Sequence, residues 1–295
     1  MPDNRIPAFP DFKRIEIEDR EEIDLITRQY PPYSDFNFTN LFCHDTAGDC
    51  QISILHGNLA VRFRAYITHE PFFSFLGHNK VADTIDRLLD LSCAQSLLPV
   101  LRLVPESSIS SMLNDLGAGF TISEDPDSSD YLIDVREIME LASARWRNKR
   151  KVANRFKRAH PHYALRQLEL HNSHTQQQIR HLFHIWTKTR NKVHHETRNE
   201  LAAIERIMQY SNQFQYVSLG AFIDGRLEGF TINEVVHDGH YIGHFGKSNP
   251  DFSGLTVFLE SETARIMHSN EQPRRKRRGI KTKKLQKRTP QGAGN

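Results

Sequence analysis

The chain has 295 residues, 38% hydrophobic and 25% charged, enough apolar side chain to bury a sizeable core and too much for wholesale disorder. No run approaches the roughly 18 consecutive apolar residues of a membrane span, and the opening MPDNRIPAFPDFKRIEIEDREE is too acidic and polar for a secretory signal, so the expected address is the cytoplasm. The net charge of +3 hides an asymmetry: ten Lys and Arg residues follow Gln272, which leaves the first 272 residues with 29 basic against 36 acidic groups.

A length of this order suits two domains. FKRIEIEDREEIDLITRQY starts with a short alternating piece, becomes an amphipathic helix and stops at Pro31 and Pro32; SDFNFTNLF then reads as a capped helical turn. CQISILHGNLAVRFRAY reads as a hairpin around Gly57 and Asn58. A helix over VADTIDRLLDLSCAQS, a buried strand over LPVLRLVP and a helix over ESSISSMLNDLG, with Gly117 near its end, come next. A Ser/Asp-rich loop then leads to a strand at YLIDV.

The second half repeats this layout. Residues 136 to 158 read as helical, YALRQLEL as a strand, and HTQQQIRHLFHIWTKTRNKV and NELAAIERIMQYSNQ as helices. Strands at 216 to 223, 226 to 236 and 241 to 247 are joined by Asp224-Gly225 and Asp238-Gly239, signatures of two-residue turns, and predict an antiparallel meander. A helix from about Gly254 to His268 closes the ordered part. The expected organisation is residues 1–135, residues 136–272 and a basic, disordered tail over 273–295.

Three cysteines with no CxxC suggest buried reduced thiols rather than a disulfide framework or zinc knuckle. His181 and His184 lie at i, i+3 and His194-His195 are adjacent, yet no further ligand at suitable spacing completes a metal site. Neither a G-x-S-x-G elbow nor a GxxxxGK[ST] or GxGxxG loop is present, which leaves nucleophilic serine chemistry and nucleotide hydrolysis without support.

A two-residue turn at Asp238-Gly239 pairs His237 with His240, Val235 with Ile242 and Asn233 with His244. Thr231, Asn233 and His244 then share a candidate functional face, and Phe230, Ile232, Val236, Tyr241 and Phe245 a core face. Glu234 falls on the core side, and only a bulge can bring it to His244. The following loop, GKSNPDFSGLTVFLESE, carries Lys247, Ser253 and Gly254 into a helix N-terminus, a possible anion cradle.

ARWRNKRKVANRFKRAHP holds eight basic side chains and no acid between Arg145 and Arg158. Val152 and Phe156, an i, i+4 pair, anchor one side of this helix, and Lys149, Arg150, Asn154 and Arg158 are expected to face solvent or a polyanion. Like charges this dense repel, which favours an anionic partner.

These pieces resemble the DUF2156 proteins, similar to the C-terminal domain of phosphatidylglycerol lysyltransferase. The resemblance covers about residues 8 to 272. It rests on SDFNFTNLF, SSDYLIDV, NKRKVANRF, GAFIDGRLEGFTINE and GHFGKSNPDFSGLTVFLESE. It implies an α/β chain with mixed sheets and two tandem GNAT-like acyltransferase domains. By position it carries over Asp130 and Tyr131, the basic-helix residues Lys149, Arg150, Asn154 and Phe156, then Glu234, His244, Lys247 and Gly254. Lys151 stands where the family usually has Asn, and Gly246 where many members have Glu. After Gln272 the family's closing strand and Asn-x-Glu-Gln-Asp-Leu-Gly segment give way to the basic tail, a departure that leaves a sheet edge open and puts activity in question.

The resemblance implies an acyltransferase that moves an aminoacyl group from aminoacyl-tRNA, or another anionic acyl donor, to a lipid or other acceptor without a cofactor. His244 would be the base, with Asn233 and Glu234 beside it. Asp130, Tyr131, Lys149, Arg150, Asn154, Lys247, Ser253 and Gly254 would hold substrate or donor. The alternatives are an acetyl-CoA-dependent N-acetyltransferase and a non-catalytic nucleic-acid-binding protein. The tail is expected to let the chain touch an anionic membrane surface peripherally.

Overall fold

The structure is a computed structural model that describes residues 5–65, 69–113, 119–188, 194–270 and 282–287. Two compact units result, residues 5–132 with 282–287, and residues 133–270.

The first unit is built on a seven-stranded sheet. Its strands are β1 (Lys13–Arg14), β2 (Gln51–Leu55), β3 (Asn58–Arg64), β4 (Pro71–Leu76), β5 (Val100–Pro105), β6 (Phe120–Glu124) and, from the far end of the chain, β11 (Thr282–Lys287). Their order is β1-β2-β3-β4-β5-β11-β6, antiparallel except for β4 and β5. Helix α3 (Val81–Ala94) makes the crossover between that parallel pair. Its buried Val81, Ile85, Leu88 and Leu89 recur at helical spacing and pack on Phe73, Phe75, Leu101 and Val104. The remaining helices here are α1 (Arg20–Thr27), α2 (Phe38–Cys43) and the short α4 (Glu106–Ile109). Asn37 caps α2, its side chain accepting from the Asn40 amide.

Several expectations shift. Leu55 pairs with Asn58, so the turn of the first hairpin is His56-Gly57, both at positive φ. Asn58 sits in β3 and donates to the Asn79 carbonyl at 2.7 Å and to Thr84 Oγ1 at 3.0 Å. Strand β6 takes up part of the segment expected to be loop, whereas residues 131–134 carry no strand. Gly117 lies outside the described residues. So does most of the segment expected to be a disordered tail, but Thr282–Lys287 within it is a strand that lies between β5 and β6.

The second unit is a four-stranded antiparallel sheet of order β10-β9-β8-β7, made of β7 (Ala164–Gln167), β8 (Tyr216–Ile223), β9 (Arg226–Val236) and β10 (His240–Ser248). Its helices are α5 (Val135–Glu140), α6 (Arg147–Ala159), α7 (Ser173–Lys188), α8 (His194–Gln209) and α9 (Leu255–Asn270). The single helix expected over 136–158 is split. Asp134 caps α5 at one end and Leu141, at φ 49°, stops it at the other.

Both faces of this sheet are covered. Leu219, Ala221 and Ile223 of β8 pack with Leu255, Phe258 and Leu259 of α9 and with Ala153 and Phe156 of α6. The opposite face, which carries Phe230 and Ile232, is covered by α7, whose Ile179, Leu182, Phe183 and Trp186 are buried.

Candidate active site

The meander departs from the two-residue-turn register at its second turn. Asp224-Gly225 is a two-residue turn, with Ile223 opposite Arg226. The other turn contains three residues, His237–Gly239, with Asp238 and Gly239 at φ 58° and 69°. His240 therefore pairs with Val236, Ile242 with Glu234, and Gly243 with Asn233. Phe245 pairs with Ile232, so His244 is the extra residue of a β-bulge.

The bulge regroups the candidates. His244 Nε2 lies 2.9 Å from Glu234 Oε2, and the two side chains are 1% and 7% exposed. Tyr216, directly across from Glu234 on β8, sets its ring edge-on to the imidazole at 6.2 Å. His244 thus joins Glu234 on the face of Phe230 and Ile232, so the side expected to be core holds the His–Glu pair, brought together by a bulge. Asn233 points the other way, donating to the Val217 carbonyl at 3.2 Å, and Thr231 meets Thr263 of α9 at 2.8 Å. Neither reaches the pair.

Lys247 lies on the same face, opposite Phe230. Its ammonium stands 4.0 Å above the Trp186 ring of α7 and 2.5 Å from Glu200 Oε1 of α8. A cation held by a ring face and a carboxylate keeps a fixed position. Beyond it, Asn249 bonds the buried Glu228 through its side chain at 2.8 Å and its amide to the Glu228 carbonyl at 2.8 Å, which pins the loop into α9.

That loop also meets the basic helix. Gly254, at φ 91°, lies so close to α6 that a Cβ would stand 2.4 Å from the Val152 carbonyl oxygen, so glycine serves here for close approach. The Leu255 amide is bonded to the Phe252 carbonyl within the loop, and Ser253 is exposed.

On α6 the expected contacts divide. Phe156 is buried among the rings of His160, Tyr163 and Phe258, and Ala153 is buried beside it, while Val152 is half-buried. Arg150 donates to the Leu141 and Ala142 carbonyls at 2.6 and 3.0 Å, closing the end of α5. The Lys149 ammonium lies 4.6 Å from the Trp146 ring, within electrostatic reach of Glu260 of α9. Asn154 is exposed. Helix α6 packs on α9, on the side of the sheet away from His244 and Glu234, so the structure does not bring Lys149 and Arg150 to the acid–base pair.

In the first unit Asp130 accepts from the Ser34 amide at 2.9 Å and from its hydroxyl at 2.5 Å, a clamp on the turn before α2. Tyr131 is 94% exposed. Burial, reinforced by the charges of Asp130 and Asp125, pushes the Asp35 carboxyl up to about 7. Among the described residues no group of three or more His, Cys, Asp or Glu could hold a metal ion, and no helix is long and apolar enough to cross a membrane.

Sequence reasoning missed Tyr216, Trp186 and Glu200, because sheet register and helix docking bring them to the site. Arg158 is exposed as expected, but sequence reasoning missed that Arg147, Lys151 and Arg155 line up with it in one exposed row on α6, although the spacing of four, four and three was legible.

Fold and site together define a two-unit α/β protein whose second unit buries a His–Glu pair between the edge strand β10 and its neighbour β9. Residues 27–274 match the family model described as phosphatidylglycerol lysyltransferase, C-terminal, and the chain belongs to that family, one associated with a transferase. Among solved structures it is similar to a conserved protein of unknown function from Bacteroides thetaiotaomicron VPI-5482, with TM-score 0.76, 17% identity, and coverage of 93% of this chain and 99% of that one. It is also similar to the C-terminal domain (DUF2156) of a proposed lysylphosphatidylglycerol synthetase from Agrobacterium fabrum, with TM-score 0.56, 12% identity, and coverage of 86% and 76%. At these identities the likeness concerns the fold. No curated protein matches.

Proposed function

We propose that the chain is an aminoacyltransferase that moves an aminoacyl group from aminoacyl-tRNA to a hydroxyl of a lipid or another acceptor, with His244 as the base and Glu234 as its orienting partner. On this reading the two units are the tandem GNAT-like halves that the family resemblance implies. The observation that carries it is the bulge at His244, which sets a buried imidazole on a buried carboxylate in a member of a transferase-associated family.

The acceptor oxygen attacks the ester carbonyl of the donor, and its proton passes to the His244 imidazole. A new ester C–O bond forms, the bond to the tRNA ribose breaks, and the proton is returned to the departing ribose oxygen. The Glu234 carboxylate holds the ring orientation and stabilises the imidazolium formed on the way. Lys247, on the same face as the pair, supplies fixed positive charge for an anionic part of donor or acceptor. Since the donor ester is already activated, no cofactor is needed. In this conformation the imidazole is covered, so the layer formed by α7 and α8 must admit the reacting groups.

The test is transfer of labelled amino acids from charged tRNA to phosphatidylglycerol vesicles or to peptide by the full chain. His244→Asn and Glu234→Gln should each lower the rate by roughly 10²- to 10⁴-fold. Absence of transfer to every acceptor, with acetyl-CoA binding seen by calorimetry, would move the donor to CoA and sink this reading.

A further inference from the structure

We infer that the N-terminal half of α8 is a lid on the His244–Glu234 pair and that Glu200 is its latch, a carboxylate that holds Lys247 until a phosphate group of the donor or acceptor takes its place. This deepens the reading above and rests on it in taking the covered pair to be the reacting groups.

The two helices over this face are anchored differently. The buried side chains of α7, Ile179, Leu182, Phe183 and Trp186, form a stripe on a helix that packs on β9 and β10. Among the described side chains of α8 the buried ones are Ala203, Ile204, Ile207 and Met208, all in its C-terminal half. Thr197, Asn199, Leu201 and Ala202 are half-buried and Arg198 is exposed. Packing of an apolar stripe is what fixes a helix in place. The first half of α8 lacks that stripe among its described side chains and meets β10 through an ion pair, Glu200 Oε1 to Lys247 Nζ at 2.5 Å. Its other end is tied down: the Ser211 hydroxyl donates to the Met208 carbonyl at 2.9 Å, and Phe214 stacks on Tyr216 at 5.3 Å. Tyr216 is the residue whose ring meets the His244 imidazole edge-on. The segment from α8 to Phe214 therefore reaches the face of the pair at two places, by ring stacking at Phe214 and by an ion pair at Glu200.

The ion pair is suited to exchange. With Glu200 against it, Lys247 presents little net charge to a substrate, so it serves the chemistry once the carboxylate has moved away. Trp186, with its ring 4.0 Å from the ammonium, stays in place when α8 lifts because it belongs to the buried stripe of α7, and it keeps the cation positioned. A largely buried ammonium stripped of its anion is costly, which couples the two events: the lid opens as an anion arrives at Lys247 and closes as it leaves. In the proposed reaction the RNA donor and a phospholipid acceptor both carry phosphate, so the group that frees the lid is one the substrate brings. The pair is then covered until substrate is present. A second bridge, Arg180 to Glu205 at 2.9 Å, joins α7 to α8 with its side chains 43% and 46% exposed. An ion pair so exposed contributes little, and it provides a control on the same helix.

The chain has two tryptophans, Trp146 and Trp186, so Trp146→Phe in the full chain leaves Trp186 as its single indole. Acrylamide quenching of that indole reads the lid, because Trp186 is 7% exposed when the lid is closed. In this parent, E200Q should raise the open fraction, and with it the quenching, roughly 10-fold, the effect of losing a charged hydrogen bond. E205Q, an equal charge change on the same helix, should leave quenching unaltered. Inorganic phosphate should raise quenching above a chloride control of equal ionic strength. It should bind E200Q about 10-fold more tightly than the parent, since no carboxylate competes, whereas a merely structural Glu200 would give weaker binding in E200Q. Lys247→Gln should abolish the response to phosphate. Uncharged tRNA in one arm and phosphatidylglycerol vesicles in another show, by which of them opens the lid, whether donor or acceptor brings the phosphate. Thermal melts check that each variant folds. Equal quenching in the parent and E200Q overturns the inference, as does an equal rise in E205Q or a parent that does not respond to phosphate. None of these measurements uses transfer, so an inactive chain whose lid phosphate opens would sink the proposed chemistry and leave the lid standing.

Discussion

On one face of the β7–β10 sheet, Leu219 and Ala221 meet Leu255, Phe258 and Leu259, and Phe156 of α6 belongs to the same apolar cluster. Thr231 on that face satisfies its hydroxyl with Thr263. On the other face the buried Phe230 and Ile232 share the surface with the ionisable Glu234, His244 and Lys247, whose side chains are 7%, 1% and 11% exposed. The first arrangement is what stability alone selects. The second is not: replacing a buried ion pair with apolar residues of similar volume is often neutral or stabilising. Ionisable groups retained at such a place point to chemistry.

The largest effect expected belongs to the apolar face. Phe156→Ala leaves a cavity among three rings and should cost about 3–5 kcal/mol in urea unfolding. The opposite face should respond in rate. Glu234→Gln keeps the shape of the side chain and a partner for His244, so it should unfold near wild type while transfer falls at least about 10²-fold. Replacing both, as in His244→Leu with Glu234→Met, should abolish transfer without lowering stability by more than about 1 kcal/mol. A loss of 3 kcal/mol or more in that double variant would make the pair a structural element and erase the difference between the faces.

How far the sequence showed this difference depends on range. The strands at Tyr216–Ile223 and Arg226–Val236 and the Asp224-Gly225 turn were legible because alternation and turn chemistry act over a few residues. The three-residue turn at His237–Gly239 and the bulge at His244 were not, because a sequence of this kind fits either register. A one-residue slip moves every side chain to the other face, so the partner of His244 changed from Asn233 to none of the opposed residues, with Glu234 beside it. The split of α5 from α6 at Leu141 was hidden for a different reason, since a non-glycine residue at positive φ announces nothing in the sequence. The basic residues of α6 were visible as a group, but which of them Trp146 and the end of α5 would occupy depends on packing.

A half-buried carboxyl beside other acids sharpens the contrast with Glu234. Asp35 lies near Asp130 and Asp125, and its pKa is raised from 3.8 to about 7. The folded chain therefore holds a proton that the unfolded chain releases near pH 4, and stability is present below that pH and lost as pH rises towards 7. The loss should amount to roughly 2–4 kcal/mol. Asp35→Asn should flatten this fall, raising stability at pH 8 with little change at pH 4, as read by urea midpoints across the range. A wild-type midpoint that does not fall between pH 4 and pH 7 would contradict it.

The smallest effect tests whether the charges of α6 do one job or two. Arg150 bridges the Leu141 and Ala142 carbonyls from a half-buried position, whereas Arg155, five residues on, is exposed and belongs to the open row. Arg150→Gln should cost about 1–2 kcal/mol of stability in urea unfolding, because it removes charged hydrogen bonds that close a helix end. Arg155→Gln should leave stability within about 0.5 kcal/mol. The opposite outcome, with Arg155 rather than Arg150 setting stability, would mean that neighbouring cations on this helix are not sorted by the face they occupy.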